Sequence, residues 1–200
     1  MDQVCGTSKI AGCSFSIHPM SDEFAGIILE SLKKVDTSKV WLDTDDVTTT
    51  VRGRVEHIFD VTKAILLHVS KTNVHAAFHA TYSIGCPGDS AGDTYMAESL
   101  HRRNEDASRS ITQPLAAKFS LYPMGGGSYM DTIYKQIEAM KSKGIQVTPA
   151  HYSTRLDGDT HTVFEGLENV FRETEASGSS HTVMTVSVSV NSPSSKESIL

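Results

Sequence analysis

Residues 15–20 read FSIHPM and residues 119–124 read FSLYPM. The same phrase, an alternating apolar stretch closed by Pro-Met, recurs at an offset of 104 (119 − 15), and the correspondence extends outward from it. VTTTVRG (47–53) falls on YSTRLDG (152–158) at an offset of 105 (152 − 47), and His75 falls on His181 at 106 (181 − 75). Phe24 meets Tyr129, Phe59 meets Phe164 and Pro87 meets Pro193 in the same frame. Identity between the halves is low, but the apolar positions coincide, so the chain reads as one folding unit written twice.

Hydrophobic period changes in the same order within each unit. In CSFSIHP, Phe15 and Ile17 alternate with Ser14, Ser16 and His18, which is a strand. DEFAGIILESLKKV places Phe24, Ile27, Ile28, Leu32 and Val35 at helical spacing, with Ser21 as the expected N-cap and Glu23 in the first turn. KVWLD and VTTTVRGRV follow as two strands around an Asp45-Asp46 turn. VEHIFDVTKAILLHV is a second helix, and VHAAFHATYSI alternates again. The second unit repeats the order: KFSLYP, a helix across YMDTIYKQIEAMKSK stopped by Gly144, strands IQVT and HYSTRLD, a helix across THTVFEGLENVFRETEA, and SHTVMTVSVSV. The expected fold is α+β, a tandem of two ferredoxin-like, ACT-like βαββαβ units with the helices on one sheet face. The units span 1–87 and 115–195, joined by a polar connector at 88–114 and followed by a tail at 196–200. One sheet face is left bare in such a unit, so two units in one chain, or two chains, are expected to cover it; a homo-oligomer is the default.

Composition narrows the function classes. A formal charge of −6 over 200 residues disfavours a general nucleic-acid or acidic-membrane surface, and the one basic cluster, HRRNED (101–106), carries its own acids. The longest apolar run near a helix centre, AILL at 64–67, is far too short to span a membrane, and MDQVCGTSKI lacks the pattern of an export signal. Cys5, Cys13 and Cys86 show no metal spacing and cannot all pair within the chain, which places the protein most simply in a reducing cytoplasm. His75 and His79 are separated by about 13 Å in a strand and would not share an ion; they are expected on the uncovered face. RLDGDTH (155–161) lacks the acidic twelfth position of a calcium loop, and Asp159 reads as a helix N-cap. GCPGDSAGD has no Lys after its glycines. No catalytic motif, metal set or cofactor site appears.

Parity in the strands points to a pocket instead. Val47, Thr49 and Val51 share one face of their strand, and Tyr152, Thr154 and Leu156 match them. A hydroxyl thus lies between apolar neighbours, twice, on the face the helices should cover; it bonds either a neighbouring carbonyl or a ligand. Beside Thr49 runs the end of FSIHPM. Pro19 removes a donor, so pairing should stop around Ile17 and His18 and leave main-chain groups open beside the helix start, as again at Leu121 and Tyr122. The alternative is that Pro-Met is a plain strand stop.

The stretches CGTSKIAG (5–12), FSIHPM, DTSKVW (36–41), SIGCPGD (83–89), GDTYM (92–96), NEDA (104–107) and FSLYPM, in this order across nearly the whole chain, resemble the YkoF family of thiamin/hydroxymethylpyrimidine-binding proteins. The resemblance implies a tight homodimer in which each repeat holds thiamin or its hydroxymethylpyrimidine (HMP) half, linked to pyrimidine salvage or uptake, without catalysis and without a cofactor. An aminopyrimidine presents a donor beside ring acceptors, and could pair with main-chain groups at Ile17 and Leu121 while the hydroxyls of Thr49 and Thr154 complete the set. Ser16, His18, Ser120 and Tyr122 are secondary candidates, since parity directs the serines to the other face. His18 against Tyr122, and Val47 against Tyr152, imply unequal sites. Two other readings are a thiamin-salvage enzyme using His18 or His151 as base, and an ACT-like sensor whose ligand shifts assembly.

Overall fold

Ala11, Cys13, Phe15, Ile17 and Pro19 are buried and the residues between them are not, the period-2 pattern of a strand with one covered face. In the computed structural model, which describes residues 9–86, 89, 92–125 and 129–194, this strand is β1 (Ala11–Pro19). It is followed by α1 (Phe24–Leu32), β2 (Trp41–Thr44), β3 (Thr49–Gly53), α2 (Val55–Ser70) and β4 (Ala76–Ile84). After a connector holding the short α3 (Glu105–Ser108) come β5 (Pro114–Met124), α4 (Tyr129–Ser142), β6 (Gln146–Ala150), β7 (Ser153–Asp159), α5 (Thr160–Ala176) and β8 (His181–Val190). Each repeat is a ferredoxin-like βαββαβ unit, as its hydrophobic periods require. Pro87 and the 196–200 tail lie outside the described residues.

The two units join edge to edge. β4 pairs antiparallel with β8, from Ala76↔Val190 to Ile84↔Thr182, so the strands form one sheet in the order β2-β3-β1-β4-β8-β5-β7-β6. Two four-stranded units that could have covered each other's bare faces instead keep both bare faces on the same side. α2 and α5 meet over the joint, and α2 is buried from His57 to Ser70 because the sheet, α1, α5 and the connector surround it. Phe59 stacks on Tyr82 at 4.3 Å between centroids, and the Tyr82 hydroxyl lies 2.9 Å from that of Thr62, so its one polar atom is satisfied in the core.

Local chemistry sets the element ends. Asp159 caps α5 by accepting from the His161 N–H at 2.9 Å. Gly144, at φ +83°, ends α4 in the left-handed conformation open to glycine, and the Ile145 N–H returns to the Met140 carbonyl. Ser21 does not cap α1: Glu23 occupies the N-cap position without a side-chain cap bond, while Ser21 Oγ accepts from the Glu23 N–H one turn earlier.

The connector is laid across the helix face of the first repeat. Arg54 Nε donates to the Ala97 carbonyl and His57 Nε2 lies 2.9 Å from the Ser99 carbonyl; the start of the connector is held instead at the bare face, where Arg52, on the same face as Ser14 and Thr50, forks onto the Asp89 carboxylate at 2.8 Å. Asn104, 2% exposed, receives Asp36 N–H on its Oδ1 and donates Nδ2 to the Asp36 carbonyl and to Asp60. These bonds order a segment whose composition alone would not.

Candidate functional site

β1 has partners of unequal length. Its ladder with β4 runs on to Pro19↔Ala76, whereas its ladder with β3 stops at Phe15↔Thr49. Pairing therefore does not end at Ile17 on both sides, as Pro19 alone would suggest. Met20 N–H donates to the His75 carbonyl at 2.8 Å; by the alternation of an antiparallel ladder, His18 and Ser16 also direct their main-chain groups to β4. Ile17 and Pro19 then face the side that β3 has vacated. The missing donor of Pro19 costs the β4 ladder nothing, and the N–H and C=O of Ile17 point to a strand position that no described residue fills.

That position opens into a cavity of about 190 Å³ between β1, the β2–β3 turn and the helices. Phe15, Ile17, Ile28, Leu32 and Ile65 form its apolar wall, and Thr49 with Asp45 and Asp46 its polar rim. Thr49 Oγ1 lies 3.0 Å from Thr44 Oγ1. Asp45 Oδ1 accepts from the N–H groups of Val47 and Thr48, both at 2.8 Å, and these two bonds hold its carboxyl below the usual carboxylate range. The rim of the first repeat is thus anionic, a feature read from sequence only as a turn; two adjacent carboxylates one residue from a strand-end pocket were the available signal.

The second repeat reproduces the unequal strand pairing. β5 pairs with β8 through Met124↔His181 but with β7 only as far as Phe119↔Thr154. Ser180 N–H donates to the Met124 carbonyl, which puts the main-chain groups of Tyr122 and Ser120 on the β8 side and those of Leu121 on the vacated side. Thr154 stands where Thr49 stands. Where the first rim has Asp46 and Val47, the second has His151 and Tyr152, the latter 98% exposed at φ +63°.

The eight candidate residues therefore divide by face. Ile17, Thr49, Leu121 and Thr154 lie on the helix side at the two strand ends. Ser16, His18, Ser120 and Tyr122 turn their side chains to the bare face: His18 Nε2 lies 2.9 Å from Ser16 Oγ, and Ser120 Oγ donates to the Tyr152 carbonyl at 2.7 Å. Ser16 and His18 also border the cavity. His79, bonded to Ser187 at 3.1 Å, is on the bare face as well, with His75 bonded to Ser189. Among the described residues no helix is long and apolar enough to cross a membrane.

A model of the YKOF-related Family matches residues 10–89 and 115–195. The chain belongs to the YKOF-related family. The two family segments coincide with the two structural repeats and leave out the connector. Over 196 residues, 98% of this chain and 98% of the relative, the sequence is 47% identical to a protein of Bacillus subtilis (strain 168) named "Putative HMP/thiamine-binding protein YkoF". Among solved structures, a domain of unknown function, DUF77, from Bacillus cereus matches 40% of this chain and 77% of its own at 15% identity and a TM-score of 0.35.

Proposed function

We propose that this YKOF-related protein binds thiamin or its HMP moiety, one molecule at the strand end of each repeat, and holds it without turnover for pyrimidine salvage or uptake. The observation that carries this reading is the unfilled strand position beside Ile17, repeated at Leu121. A flat aminopyrimidine fits there edge-on: it exchanges hydrogen bonds with the main-chain N–H and C=O as a further strand would, and takes another from the threonine hydroxyl. The apolar wall of Phe15, Ile17, Ile28, Leu32 and Ile65 covers the ring faces. Asp45 and Asp46 at the rim favour a cationic second ring, as in thiamin, at the first site. The name of the 47% identical relative supports the ligand class.

A non-catalytic role is supported at the first site by where its imidazole lies. His18, the candidate base at that strand end, turns its ring onto the bare face, toward Ser16 and His79. The bare face is the surface through which two chains would pair, giving a homodimer of stacked sheets. Cys13 and Cys86 are free thiols, which suits a reducing cytoplasm. Titration calorimetry with HMP and with thiamin tests the reading: two binding events per chain are expected, with unchanged ligand recovered afterwards. Absence of binding by both ligands overturns the ligand class, and recovery of a new product overturns the non-catalytic role.

A further inference from the structure

A second cavity, of about 400 Å³, lies where α2 and α5 meet beneath the connector. Phe59 and Phe164, equivalent residues of the two repeats, give it aromatic walls. Lys63 comes from α2, Glu168 and His161 from α5, and Arg102 and Glu105 from the connector. Lys63 is 7% exposed and Glu168 5%, and charges this deep require partners. Glu168 has a fixed one in Arg102, at 2.7 Å, whose other nitrogen donates to the Glu56 carbonyl.

The partner of Lys63 is of another kind. Glu105 approaches it to 2.9 Å, but the glutamate side chain is 36% exposed where that of the lysine is 9%. A buried cation is therefore neutralised by a carboxylate that reaches in from the solvent edge on the four-residue α3. Burial pushes the Glu105 carboxyl up, but the hydrogen bond and charge of Lys63, with the charges of Arg102 and His161 beyond it, bring it below the usual range. One anionic position faces three basic side chains, and the chain's own carboxylate fills it.

We propose that this cavity is a binding site for a small monoanionic carboxylate with a flat apolar body, whose carboxylate replaces that of Glu105 against Lys63. The exchange is neutral in charge, so Lys63 is never left unpaired. The apolar body lies against Phe59 and Phe164. Arg102 is already committed to Glu168, so Lys63 balances a single negative charge and a second one on the ligand would be left unpaired, which separates a carboxylate from a phosphate ester. Displacing Glu105 also removes the tie of α3 to Lys63 and leaves that end of the connector held through Asn104, so occupancy loosens it.

Benzoate and phenyl phosphate, titrated into the full chain by calorimetry, are the probes. Benzoate is expected to bind with shifts of the Phe59 and Phe164 ring protons, and phenyl phosphate several-fold more weakly. Glu105→Gln removes the internal competitor and should tighten benzoate about tenfold. Lys63→Gln should abolish binding; because that variant alters a buried pair, Thr162→Trp, which fills the cavity, serves as a second loss-of-binding control, each checked for its fold by circular dichroism. Amide exchange of α3 should accelerate when benzoate binds. Failure of benzoate to bind both the wild-type and the Glu105→Gln chains at tens of millimolar overturns the proposal. So do preference for phenyl phosphate, benzoate binding that survives in folded Thr162→Trp, and α3 exchange unchanged at saturation.

Discussion

Thr49 faces Phe15 on the last rung of the β1–β3 ladder, and Thr154 faces Phe119 on the last rung of β5–β7. In both repeats the ladder with the short third strand stops at a threonine while the first strand continues, so the hydroxyl stands at the corner of the vacated position. The Thr49 hydroxyl shares one hydrogen bond with Thr44, which leaves part of its bonding capacity open, since a hydroxyl offers one donor and two acceptor sites. No hydrogen bond joins the Thr154 hydroxyl to another described residue.

Thr49→Val and Thr154→Val, made separately, should each weaken a different thiamin site. One hydrogen bond contributes about 1 kcal/mol net, or roughly fivefold in affinity. Calorimetry on each variant checks this, and circular dichroism should show the fold intact because both positions lie at a strand end. An unchanged isotherm in either variant removes that hydroxyl from the site.

Asn104→Ala should unfasten the connector. It deletes the side-chain bonds to the main chain of Asp36 and to Asp60 in a buried setting, leaving several groups unsatisfied, at a cost of about 2 kcal/mol. The melting temperature should fall by about 4–8 °C. Amide exchange should quicken across 92–110 before it does in the sheet; a uniform change over the whole chain would speak against a locally pinned segment.

Much of this fold is legible in the sequence because burial is periodic. Phe15, Ile17 and their second-repeat counterparts alternate, α2 and α5 carry helical stripes, and Asp159 stands at a cap position. The joint between repeats is not legible, since Phe78↔Val188 and its neighbours pair strands distant in sequence, and alternation looks the same in an edge strand as in a central one. The expectation that strand pairing ends at Ile17 came from Pro19, a residue whose missing donor turns out to face the empty side. Nor could the hold of the connector be read, because it rests on single polar residues such as Asn104 and Arg102 whose partners are fixed only by the tertiary fold.

The bare face bears on assembly. Ser14, Thr81 and Ser187 lie on it at the middle of the sheet, where eight strands expose a wide surface and Lys118 stands beside Ser187. Light scattering should give the mass of two chains. Thr81→Arg places a charge at the centre of that face and should yield monomers with unaltered secondary structure; a dimer that withstands this change is not built through the bare face.

Acid should act through Glu105. The folded protein holds this carboxyl below its ordinary value of 4.5, because the hydrogen bond to Lys63 and the charges of Lys63, Arg102 and His161 outweigh the effect of burial. A depressed carboxyl binds its proton more readily in the unfolded chain, so its contribution to stability is fully present above the unfolded value and disappears as pH falls through the folded one. Glu105→Gln lacks that contribution at neutral pH and has nothing to lose on acidification. Urea midpoints measured between pH 7 and pH 3 should therefore fall more steeply in the wild type than in the variant, with the gap between them closing below pH 4.5. Parallel curves would mean that the Lys63–Glu105 contact contributes no pH-dependent stability, and that Lys63 is neutralised by some other group.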